Sequence, residues 1–342
     1  MSSFKKLSIL SFGLFLINLN LYSQNTQSTS KVGTTAAQFL KIGAGARSIG
    51  LGGAYVGLDQ GIEAIYWNPA CIARIPGSGE AVFNHANWLA ETDYDFAAFS
   101  VNTLYGTLGL QLISFRIPEE KVRTVLFPEG TGQVWDANSL LLGLTFARSL
   151  TDHFAIGLSG KYIHESIFNE AARTLAVDLG IFYQTPWPSL KLGASITNFG
   201  GKMKLDGRDI YFNEAPINDE GAVDEVPAMY RLDSYEIPLG LRFGIAWQAY
   251  KTHDLSITVV SDAIHPNDNK EYINSGLEMG VKNIVFLRGG YRTLFLENSE
   301  QDLAFGIGLR YDAVGTNFRL DFGWSDYGRL QSVKFVTLSV GY

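Results

Sequence analysis

The five histidines are the side chains in this sequence with the clearest capacity for acid-base or metal chemistry. They are spread along the chain as His85, His153, His164, His253 and His265. They do not have the spacing of metal ligands, and no serine stands in a nucleophile-elbow motif. The sequence therefore predicts a protein that is not an enzyme and that binds no cofactor or metal. Catalytic groups assembled from separate strands would escape this search, so an enzyme stays an alternative.

Acidic side chains gather between Asp206 and Glu225, where Arg208 is the single basic residue. The carboxylates are Asp206, Asp209, Glu214, Asp219, Glu220, Asp224 and Glu225. Grouped carboxylates can bind Ca²⁺, but the ligand register of an EF-hand is missing here. The segment is predicted to be a solvated loop, with calcium binding as the alternative.

Overall charge and cysteine content exclude several classes of protein. The net charge is -7 and the isoelectric point is about 5.3, whereas nucleic-acid binding favours a basic face. Cys71 is the only cysteine, so no intramolecular disulfide can form. We expect no nucleic-acid partner, and a stability that comes from the fold alone.

The N-terminus has the features of a secretory signal. Lys5 and Lys6 precede an apolar run from Leu7 to Ile17, and a cleavage site fits before Gln24. These features predict a signal peptide over residues 1–23 and an exported protein. Residues 24–34 are polar and rich in Ser and Thr, which predicts a flexible leader.

The rest of the chain alternates between apolar and polar residues with a period of two. Its last nine residues place Val336, Leu338, Val340 and Tyr342 on one face of a strand. Such segments span about 80–89, 94–104, 106–117, 138–149, 152–165, 173–184, 189–199, 236–250, 253–264, 271–281, 284–295, 301–312, 316–326 and 332–342. They are long enough to cross a bilayer, whereas strands of a soluble sandwich are about half as long. The pattern predicts an all-β fold, a 14-stranded antiparallel transmembrane β-barrel over residues 80–342, in which the terminal Tyr342 serves barrel assembly.

Every second connection between the predicted strands is short. The short ones centre on residues 105–106, 150–151, 185–188, 251–253, 282–283 and 313–316. The longest of the others are Pro118 to Ala137 and Gly200 to Tyr235. Outer-membrane barrels have short periplasmic turns and longer external loops. This parity predicts a bacterial outer-membrane protein with the lipid bilayer as partner and the N-terminus in the periplasm.

Charged residues lie opposite the apolar faces of the later strands. They are Lys161, Asp178, Arg242, Asp262, Glu278, Arg288, Arg292, Arg310, Arg319 and Asp321. Charges are costly against lipid, so we expect these side chains to point into the lumen and to pair there. A ladder of ion pairs that fills the barrel is the leading interpretation, and a charged conduit is the alternative. The sequence does not assign the faces of the first three strands.

A segment rich in glycine, residues 35–79, precedes the barrel. Its glycines include Gly43, Gly45, Gly50, Gly52, Gly53 and Gly57. Glycine permits close backbone approach but adds no side chain to pack, so the segment is predicted to be enclosed in the lumen as an N-terminal hatch. Pro69 biases Asn68 toward an extended conformation, from which its side chain can cap a neighbouring backbone group. A dinucleotide-binding loop is excluded, because the third glycine of that motif and a βαβ unit are missing.

Two runs in this segment, Phe39 to Val56 and Glu63 to Ala70, resemble the PorV/PorQ family of the Bacteroidota. The resemblance is carried by the hatch motif Gly43, Gly45, Arg47, Gly50, Gly52, Gly53, Tyr66, Trp67, Asn68, Pro69 and Ala70. Differences over Ile42 to Arg47 and around Trp67 are those of a further paralogue. The family is similar to FadL-type fatty-acid transporters, which have fourteen-stranded barrels, an N-terminal hatch and an Asn-Pro-Ala motif. The resemblance implies an accessory or cargo-handling role associated with type IX secretion.

A secretion role would place protein partners, either secretion machinery or secreted cargo, at the external loops. The candidate contact residues there are Phe127, Trp135, Tyr211, Phe212 and Tyr230, because aromatic side chains are favoured in protein interfaces. The alternative function is a FadL-like transporter of a hydrophobic small-molecule ligand, which the charged inner positions disfavour. A structural barrel with neither activity is the third interpretation.

Overall fold

A computed structural model of the protein describes residues 31–214, 225–297 and 299–342. The predicted signal peptide, residues 24–30 of the predicted leader and residues 215–224 of the acidic loop lie outside this description. Within the described ranges, no helix is long and apolar enough to cross a membrane.

Antiparallel strands make up most of the described chain. They are β1 (Gly79–Asn87), β2 (Asp93–Thr103), β3 (Gly106–Lys121), β4 (Val134–Ser149), β5 (Phe154–Ile167), β6 (Glu170–Gln184), β7 (Leu190–Gly200), β8 (Asp206–Gly207), β9 (Tyr211–Glu214), β10 (Val226–Met229), β11 (Gly240–Lys251), β12 (Leu255–Pro266), β13 (Tyr272–Val281), β14 (Val285–Leu294), β15 (Leu303–Ala313), β16 (Thr316–Asp326) and β17 (Ser332–Gly341).

Fourteen of these strands form one closed ring. Neighbours in the chain pair from β1 to β7 and from β11 to β17, β7 pairs with β11, and β17 pairs with β1. Closure satisfies the backbone groups of every ring strand, because no strand is left at an edge. The structure confirms the predicted all-β, 14-stranded antiparallel barrel.

The long connections contain strands where the sequence predicts loops. Strand β8 pairs with β6 outside the ring, and β9 and β10 form a separate hairpin within the stretch predicted as the loop Gly200 to Tyr235. Strands β3 and β4 also pair beyond their predicted ends, where Glu120 faces Trp135. The predicted loop Pro118 to Ala137 is therefore partly strand, because two paired strands can continue as a hairpin once they leave the ring.

The ring strands have one exposed face and one buried face. Each ring strand exposes at least one large apolar side chain: Phe83, Phe99, Leu110, Leu144, Leu158, Leu179, Ile196, Phe243, Val259, Leu277, Leu287, Ile307, Leu320 and Leu338. The first three strands, whose faces the sequence leaves unassigned, bury Val82, Phe96 and Ile113. The period of two therefore holds around the whole ring.

Residues 35–78, here called the N-terminal segment, contain only short helices. These are α1 (Ala46–Gly50), α2 (Ala64–Trp67) and the 3-10 turns Gln38–Lys41 and Pro69–Arg74. The segment contains a large share of the fully buried apolar residues of the protein. Most of its stability must come from packing against the ring, since helices this short are marginal alone.

The N-terminal segment runs from one end of the ring to the other. The Thr35 hydroxyl donates to Asp268 and the Ala36 N–H donates to the carbonyl of Glu236, both in connections at the end that carries the long loops. At the other end the Ser78 N–H donates to the carbonyl of Tyr342 over 2.6 Å. The predicted periplasmic N-terminus assumes that the chain starts at the end with the short turns. Strand β1 does begin there, but Thr35 and Ala36 lie at the opposite end.

Candidate functional site

Asn68 ties the N-terminal segment together and joins it to the ring. Its backbone is extended, with φ −153°, as the following Pro69 favours. The Ala70 N–H donates to Asn68 Oδ1 over 3.1 Å, which caps the 3-10 turn. Asn68 Nδ2 donates to the carbonyls of Val56 and Ile181, each at 2.9 Å. The Asn68 side-chain amide thus forms hydrogen bonds with backbone groups of both the N-terminal segment and the ring.

Glycines allow the segment backbone to touch the ring backbone. A Cβ atom on Gly50 would lie 2.9 Å from Gly306 Cα, and one on Gly52 would lie 2.8 Å from the carbonyl oxygen of Tyr291. Gly52 also has φ +70°, which side chains other than glycine rarely adopt. Conversely, a Cβ atom on Gly290 of the ring would lie 2.2 Å from Gly52 N. Glycine faces glycine because no side chain fits between the two backbones.

The remaining glycines of the motif lie against side chains, of the segment in two cases and of ring strand β13 as well in the third. A Cβ atom on Gly43 would lie 3.2 Å from the Trp67 ring, and one on Gly45 would lie 3.0 Å from Cβ of Glu63. A Cβ atom on Gly53 would lie 3.1 Å from Asn274 Nδ2. These glycines therefore make room for the side chains of the second run of the motif.

Strands β11 to β16, here called the ionic arc, hold the segment by charge. Arg47 of the segment binds Glu278 in a buried pair of 2.7 Å. Glu278 also accepts from Arg288 at 2.6 Å, and Arg288 donates to Asp321 at 2.6 Å. All four side chains are almost fully buried. Such a chain of pairs is costly to open, since removing one partner leaves a buried charge unpaired.

Further polar links place segment residues against the same side of the ring. Glu63 lies 3.5 Å from Arg319, which also pairs with Glu80. The Asp262 carboxylate accepts the backbone N–H groups of Tyr55 and Val56 at 2.7 and 3.0 Å.

Two more pairs extend this polar side into β5 to β7. Asp59 of the segment pairs with Lys191 at 2.5 Å, and Lys161 pairs with Asp178 within the ring. The structure therefore brings most of the sequence-predicted inner charges into pairs.

Strands β1 to β4, here called the apolar arc, contact the segment differently. In these strands Glu80, near one end, is the one charged side chain on the buried face, and the rest of that face is small, apolar or neutral. Ile65 and Ile72 of the segment reach toward Gly109, and the Tyr66 ring meets the Phe96 ring at 6.4 Å. These are side-chain contacts without ion pairs.

The aromatic pair Tyr66 and Trp67 binds the backbone near the start of the N-terminal segment. The Tyr66 hydroxyl donates to the carbonyl of Leu40 over 2.6 Å, and Trp67 Nε1 donates to the carbonyl of Ala44 over 3.0 Å. Their rings meet edge-on at 4.8 Å. Burial raises the pKa of Tyr66 to about 12, so the phenol stays a neutral donor. The two rings hold residues 40–44 in place.

Tyr342 lies where the terminal strand meets the first strands. Its ring is partly exposed and lies over Phe99 at 6.0 Å, and its hydroxyl donates to the carbonyl of Ser100 over 2.8 Å. Its backbone carbonyl accepts from Ser78 and Gly79. The last residue thus contacts the first part of the barrel.

The aromatic residues proposed for partner binding are separated. Phe127 is exposed in the connection between β3 and β4, whereas Trp135 lies on β4 and is half-buried. Tyr211 and Tyr230 are exposed at the β9–β10 hairpin, where the rings of Phe212 and Tyr230 meet at 4.7 Å. Tyr211 and Tyr230 lie at the base of the hairpin, where β9 begins and β10 ends.

The histidines stay apart in the structure. His85 contacts Asp95 at 2.7 Å and His265 contacts Glu271 at 2.9 Å, in different parts of the ring. Among the described residues, no group of three or more His, Cys, Asp or Glu is arranged to hold a metal ion.

Solved structures of other proteins are similar to this closed ring with an N-terminal segment packed on its buried face. Among the solved structures that match are the toluene transporter TodX of Pseudomonas putida (TM-score 0.57, 16% identity, 87% of this chain and 97% of that one), the toluene transporter TbuX of Ralstonia pickettii (0.55, 13%, 87% and 97%) and a FadL homologue of Pseudomonas aeruginosa (0.53, 10%, 87% and 97%). At these identities the likeness shows that the chain shares the barrel fold of these structures. No protein-family model matches the sequence, and no curated protein matches it.

Proposed function

We propose that this protein is a FadL-like outer-membrane channel for hydrophobic small molecules, in which the ring spans the bilayer and the N-terminal segment is a hatch in its lumen. The proposal assigns the protein no reaction. It takes up the alternative from the sequence analysis, because the matching structures of this fold include transporters of hydrocarbons.

The exposed face supports a place in the membrane. Large apolar side chains are exposed on every ring strand, which is far more continuous apolar surface than a soluble monomer tolerates. Lipid would cover this band, and the buried charges of the ring lie on the opposite face, whereas Asp95 and Arg116 pair on the exposed face near the end that carries the long connections. With the short connections in the periplasm, the segment would enter the lumen at the external end.

The apolar arc is the observation that carries the transport proposal. Between the segment and strands β1 to β4, the Tyr66 ring meets the Phe96 ring and Ile65 reaches toward Gly109, without ion pairs. A hydrophobic molecule that parts these surfaces replaces one apolar contact by another and breaks no buried charge pair. The inner charges therefore need not oppose transport, because most of them belong to the ionic arc or to β5 to β7 and lie away from the contact at Gly109.

The proposal can be tested by filling the contact between the N-terminal segment and the apolar arc with a large side chain. Gly109 faces Ile65 and Ile72, whereas Gly160 on β5 has open space around it. We expect Gly109→Phe to abolish uptake of radiolabelled toluene and oleate by cells that lack other such channels. Gly160→Phe, the matched control, should leave uptake unchanged. Both variants must first show the heat-modifiable mobility of an assembled barrel. Equal uptake by wild type, Gly109→Phe and cells without the gene would overturn the transport function.

Secretion remains a second candidate because of the exposed aromatic residues. Tyr211, Tyr230 and Phe127 are the kind of side chains that bind proteins, and they stand at the end with the long connections. Together with the resemblance to the PorV/PorQ family, they support an accessory role in type IX secretion. Replacing all three by Ser should then cause retention of secreted proteins while toluene uptake persists. Normal secretion from that strain would remove this candidate.

A further inference from the structure

Two nitrogen-bearing side chains face each other on the outside of the ring, near the end with the long connections. His164 lies near the end of β5, and Arg173 is its partner across the β5–β6 pair. Every second residue of a strand lies on the same face, so both belong to the face that exposes Leu158 and Leu179. Arg173 is exposed and His164 is half-buried.

Lys204 joins these two residues from the chain between β7 and β8. The Gly201 N–H donates to the Leu175 carbonyl, and β8 pairs with β6 further along, so the chain between these contacts runs alongside β6. Lys204 is exposed there and passes beside Arg173. His164, Arg173 and Lys204 are here called the basic cluster.

Carboxylates do not neutralise the basic cluster. Among the described residues, Arg173 and Lys204 form no ion pair, whereas cations nearby in the chain do. Asp206 follows Lys204 closely and pairs with β6, but its carboxylate binds neither cation. Glu165, next to His164, is turned to the other face, where it accepts a backbone N–H of the N-terminal segment. His164 Nδ1 is buried and has no hydrogen-bond partner among the described residues. The basic cluster therefore offers donors that lack an acceptor.

The apolar band of the ring begins beside the basic cluster. On the same face, the next positions toward the short connections are Tyr162 on β5 and Leu175 on β6, both exposed. Gly160 follows on β5, and a Cβ atom there would meet nothing within 4 Å. Its neighbours across the strands are the larger Leu144 and Val177, so Gly160 leaves a shallow groove between them. Cations next to an apolar groove suit a ligand that is charged at one end and apolar at the other.

We propose that the basic cluster binds the phosphate of a membrane lipid whose acyl chains lie along the groove at Gly160. Cations at a membrane surface attract anionic head groups, and the N–H groups of Arg and Lys form charge-assisted hydrogen bonds with phosphate oxygens. The inference rests on the membrane position of the ring, which is part of the proposed function, but it requires no transport. It assigns a specific lipid partner to the outer face of β5 and β6.

Native mass spectrometry of the purified full-length barrel in nonionic detergent tests this inference. The probes are dioleoyl phosphatidic acid, which carries a phosphate monoester, and dioleoylglycerol, which has the same chains without the phosphate. Wild type should bind phosphatidic acid more tightly than dioleoylglycerol. Arg173→Gln and Lys204→Gln should each weaken phosphatidic acid binding about fivefold and leave dioleoylglycerol binding unchanged. All variants must first show the heat-modifiable mobility of an assembled barrel.

Arg116 provides the matched control. It is also exposed on the outer face, but it pairs with Asp95 at 3.1 Å, so Arg116→Gln should leave phosphatidic acid binding unchanged. Equal affinity in wild type, Arg173→Gln and Lys204→Gln would overturn the site, as would the same loss in Arg116→Gln. Displacement of the bound lipid by excess inorganic phosphate would also overturn it, because the site would then take a free anion rather than a lipid.

Failure of this inference can be told apart from failure of the proposed function. Without a lipid site, toluene uptake persists and phosphatidic acid binding no longer depends on the basic cluster. Without a channel function, phosphatidic acid binding persists and toluene uptake does not depend on the gene. The membrane position itself is measured by fractionation, and recovery of the wild type in the soluble periplasm would remove the basis of both proposals.

Discussion

The two arcs of the ring hold the same N-terminal segment by different physics. On the ionic arc, segment backbone lies against ring backbone, and buried pairs such as Arg47–Glu278 join the two. On the apolar arc, the tips of Ile65 and Ile72 lie against Gly109 with no charge involved. Backbone contacts and ion pairs demand one geometry, whereas the ends of flexible apolar side chains tolerate displacement. If the segment is the hatch of the proposed channel, the ionic arc would fix one side of it and the apolar arc would be the side that can separate from the ring.

The largest effect should follow from opening the ionic arc. Glu278→Ala removes the carboxylate that Arg47 and Arg288 share, and should lower the free energy of unfolding by about 3–5 kcal/mol. Urea unfolding of the purified barrel, followed by its heat-modifiable mobility, measures this loss. The control is Glu271→Ala, whose carboxylate is exposed and should matter little. Equal stability of the two variants would contradict the distinction between the arcs.

A smaller loss should follow from one added methyl group on the ionic arc. Gly290 abuts Gly52 N, whereas its neighbour Gly289 has open space around it. Gly290→Ala should cost about 1–3 kcal/mol through overpacking, and Gly289→Ala should cost far less. On the apolar arc, the added methyl group of Gly109→Ala meets only the ends of two isoleucines. The free-energy cost of Gly109→Ala should therefore lie between the costs of Gly290→Ala and Gly289→Ala. The same unfolding assay ranks the three, and a Gly109→Ala cost above that of Gly290→Ala would break the comparison.

On the apolar arc, removing a buried polar group should raise the free energy of unfolding rather than lower it. The Gln111 amide is buried and has no hydrogen-bond partner among the described residues. Gln111→Leu should therefore raise the free energy of unfolding by about 1 kcal/mol. Thr145→Val on the next strand is the matched control, because Thr145 shares a 2.6 Å hydrogen bond with Ser159 and its loss should destabilise. Destabilisation by Gln111→Leu would mean that the amide has a ligand or water as partner.

The smallest expected change is a labelling rate. Cys71 is fully buried in the segment, and burial raises the pKa of its thiol well above the usual value. Maleimide should therefore react with native protein far more slowly than with unfolded protein, since the thiolate is the nucleophile. Because the chain has a single cysteine, mass spectrometry reads the reaction directly. Glu278→Ala should accelerate it. Rapid labelling of the native wild type would show that the segment is not held in the ring.

The ring could be predicted from the sequence because the alternation of apolar and polar residues is visible within each strand. Alternation with a period of two, together with alternating connection lengths, defines the strands to within a few residues, and the terminal run ending at Tyr342 is typical. The close approach of Gly50 and Gly52 to ring backbone also follows from what glycine permits. The β9–β10 hairpin is missed because short strands carry little periodicity.

The division of the ring into an ionic arc and an apolar arc could not be predicted from the sequence, because it depends on which side chains meet across strands. Arg242 and Arg288 look alike along their strands, yet Arg288 finds Glu278 whereas Arg242 finds the Trp67 ring. Pairing across strands depends on register and on the path of the segment. The same limit explains why the inner charges, read from the sequence alone, disfavour a transporter: the sequence does not show that they are confined mainly to one side of the ring.

The hydrogen bond from the Ala46 N–H to the Thr337 hydroxyl joins residues 291 positions apart. During synthesis, the segment is made long before its partner on β17. The segment cannot reach its final contacts until the terminal strand has paired with β1, so ring closure and ordering of the segment are coupled late events of folding. Contacts of such long sequence separation are slow to form. A barrel stalled before closure would expose an unpaired β1 edge and an unburied segment together, which makes the last strand a checkpoint for assembly.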